Sequence, residues 1–188
     1  MPRTLTITVF AVLALLNSTG SSRGQEPPQF PEPEKQHQFL KRFVGEWDST
    51  TECMGAPGME PSKGKGVMKS RMLGEFWVIS ELDATMMGDK FQAALTLGYD
   101  PQKKKYVGTW TDSMTSHLWL YEGVVEGATL TLTAEGPNFL SPGTTTKFQD
   151  IYEFKSADEM RVASKILGED GKWITMMTGQ AHRKAAGK

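Results

Sequence analysis

Along most of this chain apolar and polar residues alternate one by one. The alternation is clearest in FQAALTLGY, where Phe91, Ala93, Leu95, Leu97 and Tyr99 share one face and Gln92, Ala94, Thr96 and Gly98 the other. A period of two marks a strand with one face buried. The same texture recurs near residues 45–53, 64–72, 75–83, 90–99, 104–113, 117–125, 128–134, 145–154, 159–167 and 172–183, which predicts about ten strands. Turn signals separate them, among them Tyr99-Asp100-Pro101, Glu126-Gly127, Gly136-Pro137-Asn138 and Gly168-Glu169-Asp170-Gly171. Short connections make consecutive strands antiparallel neighbours in a meander. Left open, such a sheet exposes two edges; closing it removes them and leaves an interior roomy enough for one small ligand. The expected fold is all-β, an up-and-down antiparallel barrel of about ten strands with a short helix before it.

Three N-terminal segments break the alternation. Phe39, Leu40, Phe43 and Val44 recur at helical spacing within residues 34–44 and predict one short amphipathic helix, ended by Gly45. Residues 25–34 (QEPPQFPEPE) are rich in Pro and Glu and read as an extended, solvated linker. Ahead of them Arg3 precedes an uninterrupted apolar run, Leu5–Leu16, and then the small residues NSTGSSRG. That is the layout of a secretory signal peptide, with cleavage expected after Gly24 or, second, after Gly20. The alternative is an uncleaved N-terminal anchor, but the run falls short of the roughly 20 residues a spanning helix needs. The expectation is a signal over residues 1–24, a linker over 25–34, one barrel domain over 35–188, and export to the periplasm or the medium without a later membrane span.

Composition narrows the function classes. The chain has 188 residues, which suits one domain. It carries 21 Lys and Arg against 22 Asp and Glu. Loss of residues 1–24 removes two basic and no acidic groups and takes the net charge from −1 to −3. A surface of that balance offers no field for a polyanion, so nucleic acid is not an expected partner. The single cysteine, Cys53, makes no internal disulfide and shares a face with Trp47, which argues for burial; the adjacent Glu52 disfavours a thiolate. The histidines stand at 37, 117 and 182 with no metal-binding spacing, so neither metal nor other cofactor is expected. The methionines gather into no cluster with His or Cys and read as adaptable core filler.

Two clusters on the apolar face carry candidate chemistry. Phe148, Asp150, Tyr152 and Phe154 share one face, and a carboxylate among three aromatics must be paired, protonated or functional. It is either bonded to an Arg, Trp or Tyr of a neighbouring strand or an orienting or acid–base group. Further along, Tyr106, Gly108, Trp110, Asp112 and Met114 alternate, a tight turn is expected near Thr115-Ser116, and His117, Trp119 and Tyr121 follow on the return strand. Aromatic walls with a few polar handles are the usual lining of a small-molecule site; the same residues also make an ordinary hairpin of cross-strand pairs. Asp112 and Ser113, adjacent on a strand, point to opposite faces, and there is no G-x-S-x-G elbow, so a nucleophilic triad is not expected.

Gly45-Glu46-Trp47 after a helix resembles the G-x-W signature that opens lipocalin-like barrels. The resemblance implies that Arg183, on the last strand, covers Trp47, a cation over an indole. More widely, FVGEW, LGYDPQKKKYVGTWTDSM, LTLTAEG and FQDIYEF resemble the bacterial family called domain of unknown function 1579, over residues 38–184. That resemblance implies a calycin-type barrel and supplies no substrate. The leading expectation is a barrel that takes up a small hydrophobic molecule, with Trp47, Trp110, Met114, Trp119, Phe148, Tyr152 and Arg183 as the ligand-binding set around Asp112, His117 and Asp150. Two alternatives stay open: a small-barrel enzyme using Asp112 or Asp150 as acid or base, and a structural or protein-interaction module.

Overall fold

Ten antiparallel strands form, each within a few residues of its predicted place: β1 (Gly45–Cys53), β2 (Ser62–Leu73), β3 (Trp77–Met86), β4 (Asp89–Asp100), β5 (Lys105–Asp112), β6 (Trp119–Glu126), β7 (Thr129–Pro137), β8 (Thr145–Phe154), β9 (Glu159–Leu167) and β10 (Trp173–Arg183). This computed structural model describes residues 30–54, 60–86 and 88–185. The predicted export signal, residues 1–24, lies outside the described residues. Each strand pairs with its sequence neighbours, and β1 pairs with β10, so the meander closes into a barrel and no edge is left unpaired.

Two departures from the predicted boundaries have local causes. The helix occupies less than residues 34–44: α1 spans His37–Leu40 and continues as a 3-10 turn, Lys41–Phe43, before Val44 turns extended at φ −58°, ψ 133°. The connection between β5 and β6 is a six-residue loop, not a tight turn at Thr115-Ser116. Asp112 captures the N–H groups of Met114 and Thr115 through Oδ1, both at 2.9 Å, and bends the chain out of the ladder.

The α1 segment plugs one end of the barrel. Leu40, Phe43 and Trp47 are fully buried there, and Phe43 packs edge-on against Tyr152 and Phe154 with ring centroids 5.3 and 5.0 Å away. Tyr106 donates its hydroxyl to the Gln36 carbonyl at 2.9 Å, tying the plug to β5, and burial pushes its phenol up to about 12. Trp47 donates Nε1–H to the Phe43 carbonyl at 2.8 Å. Arg183 lies over the Trp47 ring at 4.1 Å, as the G-x-W resemblance implies. Its guanidinium donates to the carbonyls of Val44, Arg42 and Ala157, the last two at 2.9–3.0 Å. One side chain thus satisfies the end of the 3-10 turn and the β8–β9 turn together. Gly45 is required at its place, for it takes φ +124° and a Cβ would stand 2.6 Å from the Arg183 guanidinium.

Candidate functional site

The opposite end has no plug among the described residues, and there the inward face behaves differently. Ser49, Thr51 and Cys53 of β1, Met68 of β2, Leu82 and Ala84 of β3, Trp110 and Asp112 of β5, Phe148 and Asp150 of β8 and Ser164 of β9 alternate with the outer positions and point inward, yet each stays only half-buried. In a closed barrel an inward side chain keeps accessible surface only where the interior holds space. The inward residues of the plugged half, such as Leu97, Leu130 and Met160, keep essentially none. The barrel is therefore packed around the plug at one end, whereas in the other, the open half, these half-buried positions stand among buried ones such as Phe91, Trp119 and Ile166.

Asp150 lies at the junction of the two halves. Its register partners are Leu132 on β7 and Ser164 on β9. Tyr121 of β6 donates its hydroxyl to Oδ2, reaching past β7 where the inward positions are Leu132 and the small Ala134. Ser164 donates to Oδ1. The carboxyl keeps some surface toward the interior space, but it is deep within protein, and this desolvation pushes its pKa above the usual carboxylate value while the Ser164 and Tyr121 hydrogen bonds pull the other way. Burial first, and then the Asp150 charge, push the phenols of Tyr121 and Tyr152 far above the ordinary tyrosine value, so both stay protonated. Asp150 thus has a tyrosine partner, on β6 and so one strand beyond its neighbour β7, and a carboxyl shifted upward by burial.

Nearer the rim, Trp110 donates Nε1–H to Asp112 Oδ2 at 3.0 Å, and the loop amides take Oδ1. That leaves Asp112 committed to holding the loop. Beside it Thr115 Oγ1 is buried without a hydrogen-bond partner. Trp119 pairs with Trp110 across the β5–β6 ladder, and its ring covers Gly136, where a Cβ would come within 2.4 Å of it. Phe148 stands edge-on to Trp119 at 4.8 Å, and His117 packs edge-on to the same ring, also at 4.8 Å, with Nε2 at 3.2 Å from the Glu135 carbonyl.

The structure therefore brings Trp110, Asp112, His117, Trp119, Phe148 and Asp150 together around the open half. It places Trp47, Arg183 and Tyr152 elsewhere, in the plugged end, where Tyr152 packs on Phe43. Met114 lies past the end of β5 and is mostly exposed, because Asp112 turns the chain outward there. Tyr121, which the sequence places in the hairpin cluster but not in the ligand-binding set, and Ser164, which it does not mark, complete the site. Tyr121 shares the inward alternation of Trp119, and Ser164 that of Met160, Val162 and Ile166, but only the register brings them to one carboxyl. Cys53 also faces the interior, half-buried and not fully buried as predicted; burial raises its thiol against a hydrogen bond with Ser62.

Among the described residues no group of three His, Cys, Asp or Glu side chains is placed to hold a metal ion. Two shallow hollows mark the outer wall. One, about 250 Å³, lies around Glu46, Lys69, Arg71 and Glu81; the other, about 410 Å³, lies around Leu120, Glu122, Val124 and Lys147. Part of their charge is spent on surface ion pairs, Glu46 with Lys184 at 2.6 Å and Glu122 with Lys103 and Lys105 at 2.8 and 2.7 Å. The convergent polar groups and aromatic walls are inside the barrel.

The barrel resembles two solved structures at low sequence identity. Rv2717c from M. tuberculosis superposes with a TM-score of 0.57 at 12% identity, covering 82% of this chain and 100% of that one. The S-type phycobiliprotein lyase CPES from Guillardia theta gives 0.53 at 15% identity, covering 84% and 100%. At such identities the likeness concerns the fold. No curated protein matches the chain. The model of a family described as "Protein of unknown function (DUF1579)" matches residues 32–183, from just before the plug to the arginine that clamps it, and the chain belongs to that family.

Proposed function

We propose that this protein binds a small, largely apolar molecule in the open half of its barrel. The observation that carries the proposal is the half-buried state of inward-facing Trp110, Phe148, Asp150 and Ser164 in a barrel that is closed all round. Around them Trp119 and Tyr121 add apolar wall, and Asp150, Tyr121 and Ser164 supply a few fixed polar groups, the texture of a small-molecule pocket. Exposed apolar side chains, Met54, Met114, Leu118, Phe139, Leu140, Trp173 and Ile174, stand on the loops and strand ends of the same end, a fitting threshold for an apolar guest. Fold likeness to a phycobiliprotein lyase is compatible with this reading and supplies no ligand of its own. The test is titration of the purified protein with the uncharged probe N-phenyl-1-naphthylamine. Saturable binding that is lost when Ala84→Phe fills the open half supports the proposal; no saturable binding overturns it.

A second reading makes Asp150 a general acid. Its pKa, raised by burial, and its inward place favour this, since a carboxyl that holds its proton more tightly than a free one is the form that can donate it. Asp112, held by three donors, is the poorer candidate. Hydrolase or isomerase turnover by the wild type that is lost in Asp150→Asn would support it; turnover unchanged in that variant would remove it.

We also propose that the protein is exported, on the strength of Arg3, the apolar run Leu5–Leu16 and the small residues before Gln25. Expression of the full chain with N-terminal sequencing of the periplasmic fraction tests it. A mature terminus at Gln25 or Ser21 supports it, and retention of Met1 in the cytoplasm overturns it.

A further inference from the structure

We propose that the ligand of the open half is an organic ammonium, an apolar body carrying one positively charged nitrogen that pairs with Asp150. This inference rests on the ligand-binding function proposed above. It begins with the signs of the inward positions. Every Lys and Arg on the strand segments around the open half, Lys63, Lys65, Lys90, Lys147 and Lys165 among them, falls on the outer alternation face. The inward face there offers no basic strand residue to a carboxylate or phosphate. It does offer Asp150, whose two oxygens receive hydroxyls from Tyr121 and Ser164 and no cation.

Donors without a counter-charge leave a buried carboxyl under-compensated, and a guest that brings the charge gains what the protein lacks. The walls suit that charge as well. Phe148 stands two positions before Asp150 on the inward face of β8 and leads on to Trp119, so a cation at Asp150 has aromatic rings on its rim side. Aromatic rings beside a carboxylate are the usual recognition of organic ammonium groups. The rings of Trp110, Trp119 and Phe148 toward the rim would take the apolar body.

A linked proton follows. Free Asp150 is held toward its neutral form by burial, and a bound ammonium draws it to the carboxylate, so uptake of the amine releases a proton. The groups facing Asp150 are Tyr121 of β6, Ser164 of β9 and Tyr152 of its own strand, with Leu132 and Ala134 on β7. The two phenols do not titrate below alkaline pH. Toward the rim the titratable neighbours are Asp112 and His117.

The experiment uses N-phenyl-1-naphthylamine as the reporter and decylamine, decanol and decanoate as competitors at pH 8, three guests of one length that differ in the head group. Decylamine is expected to displace the reporter at about tenfold lower concentration than decanol and at still lower concentration relative to decanoate. In Asp150→Asn the decylamine-to-decanol ratio is expected to fall within about twofold of one. Equal or better displacement by decanol or decanoate, or a decylamine preference that survives in Asp150→Asn, overturns the inference while the binding function stands. A reporter that does not bind overturns both. Should the variant fail to fold, the wild type decides: decylamine affinity falls from pH 8 to pH 4 while decanol affinity stays level, and a flat decylamine profile overturns the inference.

Discussion

The two ends of this barrel are made from the same ten strands and do opposite things with their inward faces. At the plugged end α1 and the 3-10 turn deliver Leu40 and Phe43 onto Trp47, Tyr152 and Phe154, and Arg183 seals the join over the indole. At the open end no segment of the described residues descends in the same way, the inward face mixes the rings of Trp110, Trp119 and Phe148 with small and polar residues, and exposed apolar residues such as Met114, Leu118 and Phe139 lie on the loops above them. The turns at the plugged end, Pro101–Lys104, Gly127 and Lys155–Asp158, are polar or glycine-based, and only the β2–β3 turn at Gly74 carries exposed apolar side chains, Leu73 and Trp77. The lesson is a division of labour along the barrel axis: packing is concentrated at one end, which lets the other leave space and bury a carboxyl at a cost the first can bear.

The sharpest way to break the comparison is to truncate each end alike. Trp47→Ala removes a fully buried indole together with the surface on which Arg183 rests, and should cost about 3–5 kcal/mol in urea unfolding. For a domain of this size that lowers Tm by roughly 10 °C. Trp110→Ala removes the same side chain from a half-open site and should cost clearly less, since the space it leaves joins space already there. Equal losses would mean that the two halves are packed alike.

Next in size is the clamp. Arg183→Lys keeps the charge over Trp47 but cannot reach the carbonyls of Arg42, Val44 and Ala157 at once, so about 2 kcal/mol should be lost. The loss should hold at high salt, because the partners are mainly carbonyl groups and the one nearby carboxylate, Asp158, is largely exposed. Smaller again is a paired enlargement. Ala181→Leu adds volume where Ala181 is already buried and should cost about 1–3 kcal/mol, whereas Ala84→Leu points into the open half and should change stability by less than about 1 kcal/mol while weakening probe binding.

The sequence made the faces legible but not the heights. Period-two alternation put Trp47, Trp110, Phe148, Asp150 and Tyr152 correctly on the inward side, and the regular turns gave the number of strands and the closure. Alternation does not say how far along the axis a residue lies. That depends on the register accumulated around the barrel and on where the plug enters. Hence Trp47, Tyr152 and Arg183 were grouped with Trp110 and Phe148, although the first three belong to the plug. Ser164 is not legible for a related reason. A serine on an alternating strand says nothing until β8–β9 pairing sets it opposite Asp150. The β5–β6 loop is longer than the expected tight turn because the capture of two amides by Asp112 is a side-chain event that a strand pattern does not carry.

The mildest expected effect sharpens the comparison at the point where the halves meet. Asp150 has its pKa raised in the folded protein by burial, so the folded state holds its proton more tightly than the unfolded chain, where the value is near 3.8. As pH rises through that unfolded value the unfolded state loses its proton first, and stability declines until the folded carboxyl also ionises; above that point the loss is complete and constant. Asp150→Asn imitates the protonated acid, with an oxygen to accept from Tyr121 and an amide to donate to Ser164. Its Tm should exceed that of the wild type at pH 8, and the difference should narrow as pH is lowered toward 4. A difference of the opposite sign at pH 8 would mean that the carboxylate, held by its two hydroxyl donors, is the form the fold prefers. The junction would then belong with the well-compensated plugged end and not with the open one.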